Sequence, residues 1–220
     1  NRNFSQLATL SNGNFVAVYQ DEYHGNAEDT DIRYGIFTPT GAHVGTTGLY
    51  VSGGNGNFEE HHPDVAALRN GGFVVVWTDP DSPNGFNVHI QAAILSNTGA
   101  VVRDNITLDS TGTDHEANVV ALADGGFLVS WEAAVSSGSV TLAQRFDPVS
   151  AKLSGDALPI ADQIQTSSQS FTSDTLRAGA FSVSESGALV YLKSPAAASQ
   201  LVWLDRAGNR GGGPGDPAAY

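Results

Sequence analysis

The chain has 220 residues and a formal net charge of −13, from 10 Lys and Arg against 23 Asp and Glu, a balance that speaks against nucleic-acid binding and electrostatic docking on anionic lipid. Gly 25, Pro 9 and 15% charged residues beside 40% hydrophobic ones exclude a coiled coil, a collagen and a charge-driven disordered chain. With no cysteine there are no disulfides, thiolate metal sites or cysteine nucleophiles, and no apolar run approaches the roughly 18 residues of a membrane helix, so direct membrane insertion is not expected.

Taken in chain order, the sequence repeats itself. Asn12-Gly13-Asn14-Phe15-Val16-Ala17-Val18-Tyr19 reads as a turn followed by a buried strand. It returns as Asn70-Gly71-Gly72-Phe73-Val74-Val75-Val76-Trp77 and as Asp124-Gly125-Gly126-Phe127-Leu128-Val129-Ser130-Trp131, with the phenylalanines 73 − 15 = 58 and 127 − 73 = 54 residues apart. A second marker keeps step: Thr40-Gly41 and Thr98-Gly99 each place a glycine 26 residues after the phenylalanine (41 − 15 and 99 − 73).

The second unit defines the elements best. Pro63 to Leu68 predicts a strand, Phe73 to Trp77 a second, Asn87 to Leu95 a third with Val88, Ile90, Ala92 and Ile94 on one side, and Ala100 to Leu108 a fourth. Four antiparallel strands in about 50 residues match the strand count and period of a propeller blade, and no amphipathic helix is evident. The last fifth keeps the same grammar, with Ser184 to Tyr191 as turn then strand and Gln200 to Gly208 as strand then turn. The expectation is a single all-β domain over 1–220, a β-propeller of about four four-stranded blades at 1–54, 55–109, 110–165 and 166–220, either a four-bladed ring or part of a larger one.

The Ala-Leu-x-x-Gly-Gly-Phe-x-Val-x-Trp form of Ala67 to Trp77 and Ala121 to Trp131 resembles the repeats of very large secreted and surface proteins of bacteria, often found beside RTX calcium-binding segments. Phe181 to Arg210 is similar instead to a blade of the TolB-like propellers. Both resemblances imply a propeller, and neither implies a reaction. The Gly-Gly-x-Gly-x-Asp nonapeptide of the RTX calcium roll does not occur in the sequence.

Two groups of residues could carry chemistry. His61 and His115 each stand 12 residues ahead of a repeat phenylalanine (73 − 61 and 127 − 115), with Asn3 at that place in the first unit. They precede the first strand of a unit, the strand nearest the channel in a propeller, so Glu60-His61 and Asp114-His115 would meet at one channel mouth and suit a divalent metal or acid–base work. Asp21, Glu28, Asp29 and Asp31 crowd the loop between the second and third strands of the first unit, and Asp79 and Asp81 its counterpart in the second. Oxygen-only ligand sets of this kind suit Ca²⁺. Tyr23, His24 and Arg33 could form a base, acid and charge-neutralising trio like that of propeller-fold polysaccharide lyases, whereas Trp77 and Trp131, at equivalent strand ends, are expected between blades.

The leading expectation is a non-enzymatic extracellular or cell-surface module that binds a protein or carbohydrate, with adhesion or surface assembly as its role. Homo-oligomers or filaments would form through edge strands and the polar tail from Gly208 to Tyr220. A polysaccharide lyase or hydrolase working at the channel mouth is the enzymatic alternative, and a sensor or scaffold propeller of a signalling protein is a third. The chain begins at Asn1 and contains no methionine, the pattern of a processed product or a piece of a longer chain.

Overall fold

The computed structural model describes residues 2–23, 26–51, 60–80, 88–109, 114–135, 138–147, 152–162, 181–184, 188–192 and 201–204. Among them every regular element is a β-strand. The first sheet is β1 (Arg2–Thr9), β2 (Phe15–Tyr23), β3 (Asn26–Phe37) and β4 (His43–Tyr50); the second is β5 (His61–Ala67), β6 (Phe73–Pro80), β7 (Val88–Leu95) and β8 (Val101–Asp109). The third is β9 (Asp114–Ala121), β10 (Phe127–Val135), β11 (Gly138–Asp147) and β12 (Lys152–Asp162). Each is an antiparallel meander paired in chain order. Where a fourth four-stranded unit is expected, the described residues form a three-stranded sheet of β13 (Phe181–Val183), β14 (Leu189–Leu192) and β15 (Leu201–Leu204).

The turns explain the repeat. Between the first two strands of each unit the side-chain oxygen of Asn12, Asn70 or Asp124 accepts the backbone N–H two residues on, at 3.0, 3.1 and 3.1 Å. The next residue, Gly13, Gly71 or Gly125, has φ of +85, +97 or +91°, a conformation that favours glycine. The second glycine answers a different need: a Cβ on Gly72 would run into the Leu95 carbonyl of the neighbouring strand. Between the third and fourth strands a hydroxyl replaces the amide, with Thr38 Oγ1 accepting from Ala42 N at 3.1 Å and Ser96 Oγ from Ala100 N at 3.0 Å. Asp124 is exposed, and the Gly126 N–H it accepts, helped by Arg145, holds its carboxyl below the usual carboxylate range.

Side chains alternate across a strand, so each sheet has two faces, and in the second sheet both are apolar. Val74, Val76, Ile90, Ala92 and Ile94 pack with Ala117, Val119, Phe127, Val129 and Trp131 of the third sheet. The opposite face of the same sheet, Phe73, Val75, Trp77, Ala93 and Leu95, packs with Val16, Val18, Ile32, Tyr34 and Ile36 of the first. Burial on both sides is why Phe73 to Trp77 is a continuous apolar run rather than an alternating one. Trp77 and Trp131 are buried between sheets, as expected. The first strand of the second unit, β5, meets the first strands of its neighbours, β1 and β9, which sets the three sheets side by side along their first-strand edges.

Phe73 is fully buried against the first sheet. Phe73→Ala is expected to cost about 3–5 kcal/mol, by loss of its transfer energy and the cavity left behind, and urea unfolding followed by tryptophan fluorescence reads this as a lower midpoint.

Candidate functional site

The acidic segment of the first unit lies on strands, not in a loop. β2 continues to Tyr23 and β3 starts at Asn26, so Asp21 pairs with Asp31 and Glu22 with Thr30 along one long hairpin, and Glu28 and Asp29 also belong to β3. The expectation of a carboxylate-rich loop is corrected accordingly: ladder pairing outlasts the change in composition. Asp79 likewise stands on β6, opposite His89. His24 and Asp81 lie outside the described residues, as do the side chains of Tyr23, Glu28 and Asp29.

Cross-strand pairing places Tyr19, Arg33 and Tyr50 in one row across β2, β3 and β4, with Asp21 and Asp31 in the next row on the same face. Arg33 is the centre of this group. Its Nε lies 3.3 Å from Asp21 Oδ2 and its Nη2 3.9 Å from Asp31 Oδ2, so the guanidinium supplies the positive charge that two adjacent carboxylates require. Arg33 Nη2 also donates to the Tyr50 hydroxyl at 2.8 Å, and the guanidinium carbon sits 4.3 Å from the centre of the Tyr50 ring. Tyr50 is 42% exposed. The result is a charged, partly buried donor and acceptor set beside an open aromatic ring.

The histidine segment is built into the seam between the first and second sheets. Glu60 is buried, and its Oε2 accepts Ile32 N at 3.0 Å while its own N–H donates to Thr30 O at 2.9 Å. Thr30 Oγ1 donates to Glu60 O at 2.9 Å, and the Gln20 side-chain amide hydrogen-bonds His61 Nδ1 at 3.0 Å. His61 is the first residue of β5 and His115 the second of β9, so both stand inside first strands rather than ahead of them. By backbone pairing His61 faces Thr78, and Asp114 and His115 face Ala133 and Glu132; the side chains of Asp114 and His115 lie outside the described residues. Among the described residues no group of three or more His, Asp or Glu is placed to hold a metal ion.

Asp64 was not singled out by the sequence. It stands nine residues ahead of Phe73, where the other units have Gln6 and Asn118 (73 − 64, 15 − 6, 127 − 118), so a polar residue recurring in an apolar strand was the available signal. Its Oδ1 accepts Val65 N and its Oδ2 accepts Val119 N of the next sheet, both at 2.8 Å, which fastens two neighbouring first strands together. Burial pushes its carboxyl above the ordinary range, and the two backbone N–H groups offset only part of that.

Comparison with solved structures identifies the architecture. The fold is similar to that of a protein of unknown function from Dyadobacter fermentans DSM 18053, with a TM-score of 0.59 at 9% identity over 94% of this chain and 66% of that one. It is also similar to xylan β-1,4-xylosidase from Bacillus halodurans C-125 (TM-score 0.54, 12% identity, 94% and 40% of the two chains) and to a thermostable family-43 glycoside hydrolase (0.54, 11%, 97% and 74%). The chain thus spans just under two thirds of the first of these and two fifths of the second. No protein-family model and no curated protein matches the sequence. At these identities the likeness is one of fold, and with the stacked four-stranded meanders it makes this chain an all-β protein of the β-propeller type.

Because the carboxyl of Asp64 titrates higher in the folded chain, its contribution to stability is fully present below the ordinary value of 3.8 and is lost as pH rises through the raised one. The parent protein is therefore expected to gain stability over Asp64→Asn as pH falls from neutral toward 3.8. Parallel pH profiles of denaturant stability for the two proteins, with a constant difference, would refute this.

Proposed function

We propose that this chain is a non-enzymatic carbohydrate-binding module of an extracellular or cell-surface protein, and that the Arg33 and Tyr50 cluster holds the sugar. The observation that carries the reading is the geometry of that cluster: an exposed phenol ring beside a guanidinium flanked by two carboxylates. A pyranose or furanose offers an apolar C–H face to stack on the ring, and vicinal hydroxyls that donate to carboxylates and accept from the guanidinium. Propeller-fold neighbours named as a xylosidase and a glycoside hydrolase favour a carbohydrate over a protein ligand.

The non-enzymatic part rests on the two described carboxylates near the inner strands, those of Glu60 and Asp64. Glycoside hydrolysis uses two carboxyl groups, about 5–9.5 Å apart, both turned toward the sugar. Glu60 and Asp64 are turned toward backbone N–H groups instead. A carboxylate fixed as an acceptor between sheets holds the scaffold and has no free orientation from which to protonate a leaving group.

The experiment is titration calorimetry of the purified chain against arabinan, xylan and mannan oligosaccharides, with reducing-sugar release assayed on the same panel. Binding without turnover is expected, weakened at least tenfold by Tyr50→Ala and less by Tyr50→Phe, which keeps the ring. Turnover that survives purification and disappears in Glu60→Gln would establish the hydrolase reading instead. Absence of binding across the panel, or binding indifferent to Tyr50→Ala, would remove the proposed site.

A further inference from the structure

The outer edge of the first sheet carries an irregularity that falls beside the Arg33 and Tyr50 cluster. Tyr34 pairs with Leu49 and Ile36 with Val44, so Gly45 to Gly48, four residues of β4, stand opposite Gly35 alone. At the corresponding place in the second sheet, between the pairs Ala92 with Ile106 and Ile94 with Arg103, only Asp104 and Asn105 stand opposite Ala93. Both ends of the longer bulge are glycines with positive φ, +74° at Gly45 and +64° at Gly48. Regular pairing resumes beyond it, where Val51 is buried and its N–H donates to Ile32 O at 2.9 Å. Tyr50 is therefore held between the bulge and an anchored residue.

Bulges bend the strand that carries them and re-aim the side chains beside them. Resting on the carbohydrate reading of the Arg33 and Tyr50 cluster, we infer that this bulge orients the sugar site and that Gly48 is its positioning residue, acting through Arg33. A guanidinium is a rigid plane of donors. Asp21 at Nε and the Tyr50 hydroxyl at Nη2, 3.3 and 2.8 Å away, fix two points of that plane, and two points leave it free to turn about the line joining them. The Gly48 carbonyl is the third point, accepting from Nη1 at 3.5 Å, so that each of the three nitrogens has a partner. Besides its positive φ, the position needs glycine for the space around it. A Cβ there would stand 3.4 Å from Tyr19 Oη and 3.9 Å from Arg33 Nη1, and a larger side chain would extend into the row that Tyr19, Arg33 and Tyr50 form.

The second sheet shows the same row without the long bulge. Gln91 and Thr107 occupy the places of Arg33 and Tyr50 (91 − 73 = 33 − 15 = 18) and hydrogen-bond to each other at 3.1 Å, a neutral pair in place of the charged cluster. The shorter bulge also supplies the means of removing the longer one. Exchanging Gly45 to Gly48 for an Asp-Asn pair, as in β8, shortens β4 by two residues and keeps the alternation that puts Tyr50 opposite Arg33.

Titration calorimetry on the arabinan, xylan and mannan oligosaccharides tests the role of the bulge. Gly48→Val is expected to weaken binding about fivefold, in the range of one hydrogen bond, and to add nothing in a chain that already carries Tyr50→Ala, because both act on one site. The Asp-Asn exchange carries the same expectation and keeps the test valid if Gly48→Val does not fold, folding being read from thermal melts. A second readout needs no sugar: the Arg33 Nε–H resonance in ¹H–¹⁵N spectra is expected to be sharp and slow to exchange in the parent protein and to broaden in Gly48→Val. Absence of binding by the parent protein across the panel removes the carbohydrate reading and this role with it. Binding that Tyr50→Ala weakens and both bulge variants leave unchanged overturns the role of Gly48 alone, as does a loss of the same size with and without Tyr50, or an Arg33 resonance alike in parent and variant.

Discussion

The structure depends on a sheet that is apolar on both sides. A four-stranded meander of this kind has no stable existence alone, because whichever face is left uncovered keeps Val, Ile and aromatic side chains in water at a cost of about 25 cal/mol for each Å². Face-to-face packing of successive sheets removes that cost twice for every sheet with neighbours on both sides. Residue parity then assigns each side chain to its interface: Phe73, Val75 and Trp77 to the first sheet, Val74 and Val76 to the third. A one-residue register slip in β6 would exchange the two sets, and the positive-φ glycine and Asx turn ahead of Phe73 fix that register.

Apolar packing alone would leave neighbouring sheets free to slide, and polar contacts between them oppose this. Tyr34 of the first sheet donates to the Gly99 carbonyl in a turn of the second at 2.7 Å, Glu60 caps Ile32, and Asp64 spans to Val119. Each pairs a side chain with a backbone group, so the partner's position is set by the fold and not by a rotamer. Burying a carboxylate is costly unless its oxygens are hydrogen-bonded, and the backbone N–H groups that Glu60 and Asp64 accept lessen that cost while locking one sheet against the next.

The strands and turns were legible in the sequence because their causes are local. The Asn-Gly-Gly-Phe and Thr-Gly turns announce themselves by residues needed for a side-chain cap and a positive φ, and the strands of the second sheet start within two residues of the positions read from Pro63 to Leu108, with β6 running on past Trp77 to Pro80. The cluster around Arg33 was legible only in part. Asp21, Asp31 and Arg33 stood out by charge, but a run of carboxylates reads as a loop in sequence. Only the pairing of Asp21 with Asp31 and of Arg33 with Tyr50 shows that one cation lies among them. Tyr50 carries no sequence signal, since it is the last residue of β4, in a stretch with no charge beside it and no repeat marker. The fixing of Glu60 and Asp64 to backbone N–H groups depends on contacts between sheets, which no local pattern encodes.

That division of labour bears on where such a scaffold can place a ligand. Side chains near the first strands face neighbouring sheets on both sides, and the polar ones described there are taken up in holding those sheets: Asp64 with Val119, Glu60 with Ile32, Gln20 with His61. The last strand of a sheet is held by one neighbour only, and its exposure shows the difference, since β8 is open over Val101 to Asn105 and buried at Ile106 and Leu108. Substitution there does not disturb an interface between sheets, so the fourth strand can vary from Thr107 to Tyr50 at equivalent places while the repeat stays intact. A propeller whose inner polar groups are structural is free to place binding groups on its outer strands, which is where the proposed sugar site stands, an exposed tyrosine paired with an arginine between two aspartates.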